Sequence, residues 1–590
     1  MAGLDWTYGV STLRQWESAD YEPSLPVSEK SNPLTRDIDQ ASAYSIVKML
    51  QLCDSQMFQE EAGTAYQRLL SDQVVKTLME VAKRVAVIIK DPQESCVVMS
   101  GCGTSGRLAF LISSGFNKAL SQLNQSKVYS YIIAGGDRAL LSSQEAPEDD
   151  PRLGVLSLKK VCEGKKRVLF IGISCGLSAP FVAGQLDFCM QHPEVYTPVL
   201  VGFNPAHQAS VVQRMQELAK SQKAFLINPA VGPEAISGSS RMKGGSATKI
   251  LLEVAFSAAH AATFSNTPIT YNGVLEHMKA YERTLDVTYS QTDGITALVE
   301  AAGQSLRCSR HVYYLGWGSL ALLGLIDASE CTPTFGADYE DVRGFISGGY
   351  RELNNNDGPL TSLGPKFSIA HEDFLHLILP CLTDKDTVLL IYTHPDDATE
   401  VGNMARRVRE KTPNLHAVHH QADGDTAASL QQDDIKKLCL STLKITWPRE
   451  TLASGTLQHM QRELSTKLVL NAVSTGAHVL KGKIYQNHMI DLQVTNTKLY
   501  RRATRLLQKL SACPEENCEE ALLKAIYRVD MLTVEMTSSD ITTHTCFARN
   551  STKVVPLALV ILLTSWSLME AESHLKQQPI VREAVAQWMW

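Results

Sequence analysis

The sequence predicts an α/β protein built from two tandem, doubly wound parallel-sheet domains with an all-helical region behind them. Three observations carry this. Short apolar runs ending in glycine or serine alternate with helical periodicity from about Cys96 to Ile227, the texture of βαβ units. Segments of the first half recur in the second, in the same order and at similar spacing. From Lys498 onward the strand-like runs stop.

Taken in order, residues 1–35 carry Pro23, Pro26 and Pro33 among charged and hydroxyl residues and read as an extended arm. Residues 36–90 form a helical lead-in, with Ile46, Met49, Leu50, Val74, Val75, Leu78 and Val81 at helical spacing. The first sheet domain spans 91–285, its strands expected at Cys96–Ser100, Val128–Ala134, Val168–Ile173, Thr197–Phe203 and Ala224–Ile227. The second spans 286–497. Val97–Leu111 matches Val312–Ile326, Val168–Ile171 matches Val388–Ile391, and Thr248–Glu253 matches Thr466–Asn471, at separations of about 215, 220 and 218 residues. Near-equal offsets in one order imply a duplicated unit, an internal pseudo-dimer within a monomer. Residues 498–590 are left as a helical cap. Within it Val554–Leu563 is continuously apolar but too short to span a bilayer, so a buried helix is expected.

Composition narrows the function. A chain of 590 residues exceeds a single core. With 56 Lys+Arg against 62 Asp+Glu, a charge of -6 advertises neither a nucleic-acid groove nor an anionic membrane as partner. The thirteen cysteines are scattered, with no CxxC pair or zinc-ligand spacing, so reduced thiols and no metal are expected, in cytoplasm or nucleus. The opening residues lack a basic region followed by an apolar run, so no secretory leader is expected. Lys165-Lys-Arg167 reads as the entry to a strand.

Gly101-Cys-Gly-Thr-Ser-Gly106 fits GxGxxG between a strand and a helix. The acidic residue that a dinucleotide's ribose needs about twenty positions on is missing from Gln122–Tyr129, and no GxxxxGK[ST] loop exists. No nucleotide cofactor is expected. The first half instead offers three serine-bearing loops at sheet ends: Gly103-Thr-Ser105, Ser174-Cys175-Gly176-Leu-Ser178 and Ser237-Gly-Ser239-Ser240-Arg241. Hydroxyls and N–H groups at helix N-termini suit a phosphate monoester. The competing reading is that serine and glycine merely make turns and caps.

Gly101–Arg107, Ile133-Ala-Gly-Gly136, Glu145–Asp149 and Ser237–Lys249 resemble the sugar isomerase (SIS) fold, in the branch of the bacterial N-acetylmuramic acid 6-phosphate etherases. Within it, tandem SIS domains, a helical cap and Tyr21–Thr35 in front are similar to the vertebrate glucokinase regulatory proteins. The resemblance implies a non-catalytic inhibitor that binds glucokinase, holds it in the nucleus and responds to fructose 6-phosphate and fructose 1-phosphate. It places Gly103, Thr104, Ser105, Ser174, Cys175, Gly176, Ser178, Ser239 and Ser240 around the phosphate, Glu148 and Glu330 on sugar hydroxyls, and Lys498 in the same cleft. It assigns Tyr21, Leu25, Pro26, Val195, Arg449, Glu450 and Thr451 to the kinase-facing surface. The etherases work with two carboxylates, and here Gly115 stands where one of them would be; the second repeat keeps the acidic motif as Asp327-Ala-Ser-Glu330. Pro333 stands where the mammalian-type regulatory proteins that this chain resembles carry a histidine, as it does in the etherases. The alternative is a still-active sugar-phosphate lyase or isomerase of the etherase type.

Overall fold

The computed structural model describes residues 14–18, 20–59, 66–204, 210–393, 396–423, 430–448 and 456–588. Two five-stranded sheets, parallel throughout, organise it. The first holds β1 (Ser95–Gly101), β2 (Tyr129–Ile133), β3 (Arg167–Ile173), β4 (Tyr196–Val201) and β5 (Phe225–Ile227) in the order β2-β1-β3-β4-β5. The second holds β6 (Val312–Gly316), β7 (Val342–Ile346), β8 (Thr387–Thr393), β9 (Leu415–Ala422) and β10 (Ser441–Trp447), read from the β7 edge as β7-β6-β8-β9-β10. The two orders are the same when each domain is counted from its own first strand, so the weak sequence repeat is a true architectural duplication.

Strand alternation decides which faces meet. On β1, Val97 and Met99 join one large core while Cys96 and Val98 join a separate one. On β6, Val312 and Tyr314 join that same large core while Tyr313 and Leu315 face a third. Successive side chains of a strand point to opposite faces. Each sheet therefore covers one face with its own helices and commits the other to a core shared by both domains and the cap. Helices Lys243–Phe264 and Thr456–Leu480 lie in that shared layer. Gly106 is required where helix Gly103–Gln122 crosses the sheet, since a Cβ there would sit 2.5 Å from Ile133 Cγ1.

The described residues from Thr497 to Val585 are helical segments and connectors. Helix Val554–Thr564 buries Val554 through Val560, as its length and apolarity predict. No single described helix is long and apolar enough to cross a membrane. All thirteen cysteines are free thiols.

The amino-terminal arm departs from expectation. Its described residues are not extended: 3-10 turns form at Gln15–Glu17, Val27–Glu29 and Pro33–Thr35, and Trp16, Val27, Asn32 and Leu34 are buried. Proline fixes φ where a tight turn needs it, and Asn32 caps the turn that Pro33 opens. Asn32 Nδ2 also donates to Gln56 Oε1 and Pro233 O (both 2.8 Å), and Thr35 Oγ1 donates to Ala235 O at 2.7 Å. Those bonds tie the arm to the body of the first domain.

Candidate functional site

In a sheet of order 2-1-3-4-5 the chain leaves β1 and β3 in opposite directions, and a crevice opens beyond their carboxyl ends. The first domain has such a cleft, about 940 Å³ including its open mouth. Gly103, Thr104, Ser105, Glu148, Ser174, Cys175, Gly176, Ser178, Ser239, Ser240, Glu330 and Lys498, the ligand residues expected from the sequence, all line it. So do Ser28, Glu29, Arg107, Glu145, Arg241 and Arg502, to which the sequence reading gives no role.

The floor is built by local rules. Gly103 takes a left-handed φ of +51°, which turns the chain from β1 into helix Gly103–Gln122. Cys102 occupies the N-cap and no side chain caps that end, so the positive end of the helix faces the cleft. Ser174 Oγ accepts from the N–H groups of Ser178 (3.2 Å) and Ala179 (3.3 Å), which folds the second loop while leaving the hydroxyl proton free to donate. In the third loop Gly238 has φ +77°, and a Cβ there would stand 2.9 Å from Arg502 Cζ; glycine lets the cap's guanidinium lie against the loop.

The second domain supplies one wall. Thr104 Oγ1 donates to Glu330 Oε1 at 2.5 Å, with Arg107 Nη1 at 3.7 Å and Arg241 Nη1 at 4.0 Å from the same carboxylate. Burial raises the Glu330 pKa, and Arg107 and Arg241 only partly oppose it. Arg241 is itself held by Asp327 (3.0 Å) and by Thr475 (2.6 Å), and its carbonyl accepts from Lys467 Nζ at 2.9 Å.

The cap closes the cleft from above. Asn496 caps helix Thr497–Ser511, and Thr497 N donates to Asp149 Oδ2 at 2.9 Å. Lys498 Nζ meets both oxygens of Glu148 at 2.8 Å. Burial alone would lower the lysine's pKa; Glu148 and then Glu145 overcome it and hold the ammonium above its ordinary range. Arg502 grips Glu29 of the arm at 2.9 and 2.5 Å. Burial works to raise the Glu29 pKa, but Arg502 outweighs it and keeps the carboxylate ionised.

Gly115 lies on helix Gly103–Gln122, where an added Cβ would meet nothing within 4 Å. Of the surface residues, Tyr21 and Leu25 are half-buried and Pro26 exposed on the arm. Val195 immediately precedes β4 and packs on the first domain's own core. Arg449, Glu450 and Thr451 lie outside the described residues. Among the described residues no cluster has the make-up of a metal site.

Fold and cleft together define a chain of two tandem SIS-type domains with a helical lid. Family models agree in position: the glucokinase regulatory protein N-terminal SIS domain matches residues 80–190, the second SIS domain of that protein 289–481, and its C-terminal lid domain 486–585. The chain is 48% identical to the glucokinase regulatory protein of Xenopus laevis over 97% of its own length and 94% of that protein's. For the Homo sapiens protein the values are 46%, 97% and 93%. An N-acetylmuramic acid 6-phosphate etherase of Bacillus cereus strain B4264 is 28% identical over 43% of this chain and 80% of its own. This chain belongs to the glucokinase regulatory protein family.

Proposed function

We propose that the chain is a non-catalytic inhibitor of glucokinase that holds the kinase in the nucleus and is modulated by fructose 6-phosphate and fructose 1-phosphate bound in the cleft between the SIS domains. The observation that carries this reading is the double use of the arm. Ser28 and Glu29 wall the cleft, while Tyr21, Leu25 and Pro26, a few residues away, are the arm's candidates for the kinase surface. A ligand that draws on Arg502 changes what holds Glu29, and with it the arm. Ligand and partner are then linked through differential affinity for two arrangements of one segment.

The same geometry argues against turnover. Eliminating an ether needs a free base and an acid at the sugar. Gly115 supplies neither, and Glu148 is neutralised by Lys498 on both oxygens. The test is glucokinase kinetics with and without the protein, each repeated with fructose 1-phosphate and fructose 6-phosphate. Inhibition that either ester changes is expected; identical kinetics throughout would remove the proposal, and consumption of the ester would restore the lyase or isomerase reading.

A further inference from the structure

Buried ammonium groups are as a rule paired with carboxylates. Lys249 obeys: its Nζ meets Glu253 and Glu463, the latter at 2.7 Å, in the layer that the two domains share. The duplication sets Lys467 opposite Lys249, Asn471 opposite Glu253 and Gly245 opposite Glu463. An amide and a glycine thus stand where the first lysine has its two carboxylates. Lys467 is 4% exposed and forms no ion pair among the described residues. Its Nζ lies within hydrogen-bond distance of four neutral oxygens: Arg241 O (2.9 Å), Met242 O (3.0 Å), Ser246 Oγ (3.1 Å) and Asn471 Oδ1 (2.8 Å).

Two of those oxygens are carbonyls of the first domain's third serine loop. Ser239 and Ser240 line the cleft just before Arg241, and Lys467, from the second domain, holds the loop from behind. Gly245 permits the approach: a Cβ there would stand 3.3 Å from Lys467 Cε and 3.3 Å from Thr104 Cγ2, so one glycine separates the lysine from a threonine on the cleft floor. The charged groups that face Lys467 are Glu330, Asp54, Arg241 and Glu234. Asp327 is taken by Arg241 and Asn471, and Glu463, one turn back on the lysine's own helix, by Lys249. Burial pulls the Lys467 pKa from 10.5 down to about 8, with Glu330 the foremost group opposing it. A buried charge without a partner is unfavourable, and an anion just beyond the loop relieves it. We propose that Lys467 is a positioning residue for the ligand's phosphate: it pins the third serine loop from the second domain, and the phosphate supplies, across that loop, the counter-charge that the fold withholds. The inference rests on the reading that a phosphorylated sugar binds in this cleft. It goes further in assigning part of phosphate binding to a side chain that does not line the cleft.

The test is calorimetric titration of the full chain with fructose 6-phosphate between about pH 7.5 and 9.5, in buffers of different ionisation enthalpy, so that the heat reports protons taken up. The ester is a dianion throughout this range. A bound dianion favours the protonated amine, so affinity should fall about tenfold as pH rises through the lysine's range, with about half a proton taken up on binding near pH 8.5. Lys498 does not titrate there, because its pKa lies above the ordinary lysine range, and Glu234, at about 7, is mostly ionised before the range begins. Lys467→Met should bind about tenfold more weakly at pH 7.5 and take up no proton. Lys467→Arg, whose charge is fixed, should bind as tightly at pH 9.5 as at 7.5 and also take up none. A lysine that only braced the loop would leave wild type with a pH-independent affinity and no proton uptake. Either result overturns the inference with no variant needed, and so does proton uptake that survives in Lys467→Met. Failure of wild type to bind fructose 6-phosphate at any pH would instead remove the underlying reading of the cleft.

Discussion

Replacing Asp327 with alanine should loosen the joint between the two sheet domains. Asp327 is 2% exposed and accepts from Arg241 Nη1 (3.0 Å), Asn471 Nδ2 (2.9 Å), Ser474 Oγ (3.0 Å) and Tyr314 OH (3.1 Å). Arg241 comes from the first domain's serine loop and the other three from the second domain, so one carboxylate fastens the two. Removing one partner of a buried ion pair costs about 3–5 kcal/mol because the other charge stays behind. Arg241 retains bonds to Ser474 and Thr475, which places the cost at the lower end, about 3 kcal/mol. Urea unfolding at fixed ionic strength, followed by far-UV circular dichroism, measures it. The same experiment on Arg241→Met and on the double variant closes a cycle. With no charge left over, the pair of substitutions should cost much less than the sum of the singles. The reasoning fails if Asp327→Ala costs under about 1 kcal/mol or if the two single effects simply add.

Lys498→Met should weaken fructose 6-phosphate binding about tenfold to a hundredfold, since it removes a cation from the cleft and leaves Glu148 charged there; titration calorimetry giving the wild-type affinity would contradict this. Glu234, which accepts from the N–H groups of Lys243 and Gly244 at 2.9 and 2.8 Å, is pushed by burial from 4.5 up to about 7, with Lys243 opposing. The folded state keeps that proton to higher pH than the unfolded chain, so this group's contribution is complete below about pH 4.5 and is lost as pH rises through 7. Glu234→Gln should therefore lose less stability than wild type between about pH 5 and 7.5, read as a smaller fall in Tm; parallel Tm curves would count against it.

How much of this was legible in the chain depends on whether a feature is local. The strands announce themselves because parallel strands buried on both faces read as short apolar runs. The serine loops announce themselves because glycine and serine must close such strands into helices. Glu29 and Arg502 gave no signal: they meet across 473 positions, and each alone is an ordinary charged residue. The arm misled because its prolines suit extended chain and tight turns equally. Asn32 followed by Pro33, a cap residue before a first-turn proline, was the available cue for a turn. The burial of that turn depends on Asn487, whose Nδ2 donates to Asn32 O at 3.1 Å, and no local pattern encodes such a partner.

On the proposed reading, duplication without symmetry leaves one phosphate cleft, not two, among the described residues. Gly103 to Gly115 and Gly318 to Glu330 cover equal stretches of their helices, so the acid that the second domain lends to the first has no counterpart lent in return. Where the first domain has Cys102 between its glycines, the second has Trp317, 5% exposed and packed edge-on against His371 with ring centroids 4.8 Å apart. The position matching Arg241 is His459, which shares its Nε2 with Ser319 Oγ (2.6 Å) and Glu463 Oε1 (3.3 Å). Lys249 and then His459 lower the Glu463 pKa against the effect of burial, so an ionised carboxylate, paired with Lys249 Nζ at 2.7 Å, stands near the second helix N-terminus. Trp317 is buried at the loop position that Cys102 holds in the first domain, and an ionised carboxylate offers a phosphate no donor. One fructose phosphate per chain is therefore expected in a calorimetric titration. Two equivalent sites would mean that Trp317 and Glu463 do not close the second cleft, and the argument from asymmetry would fall.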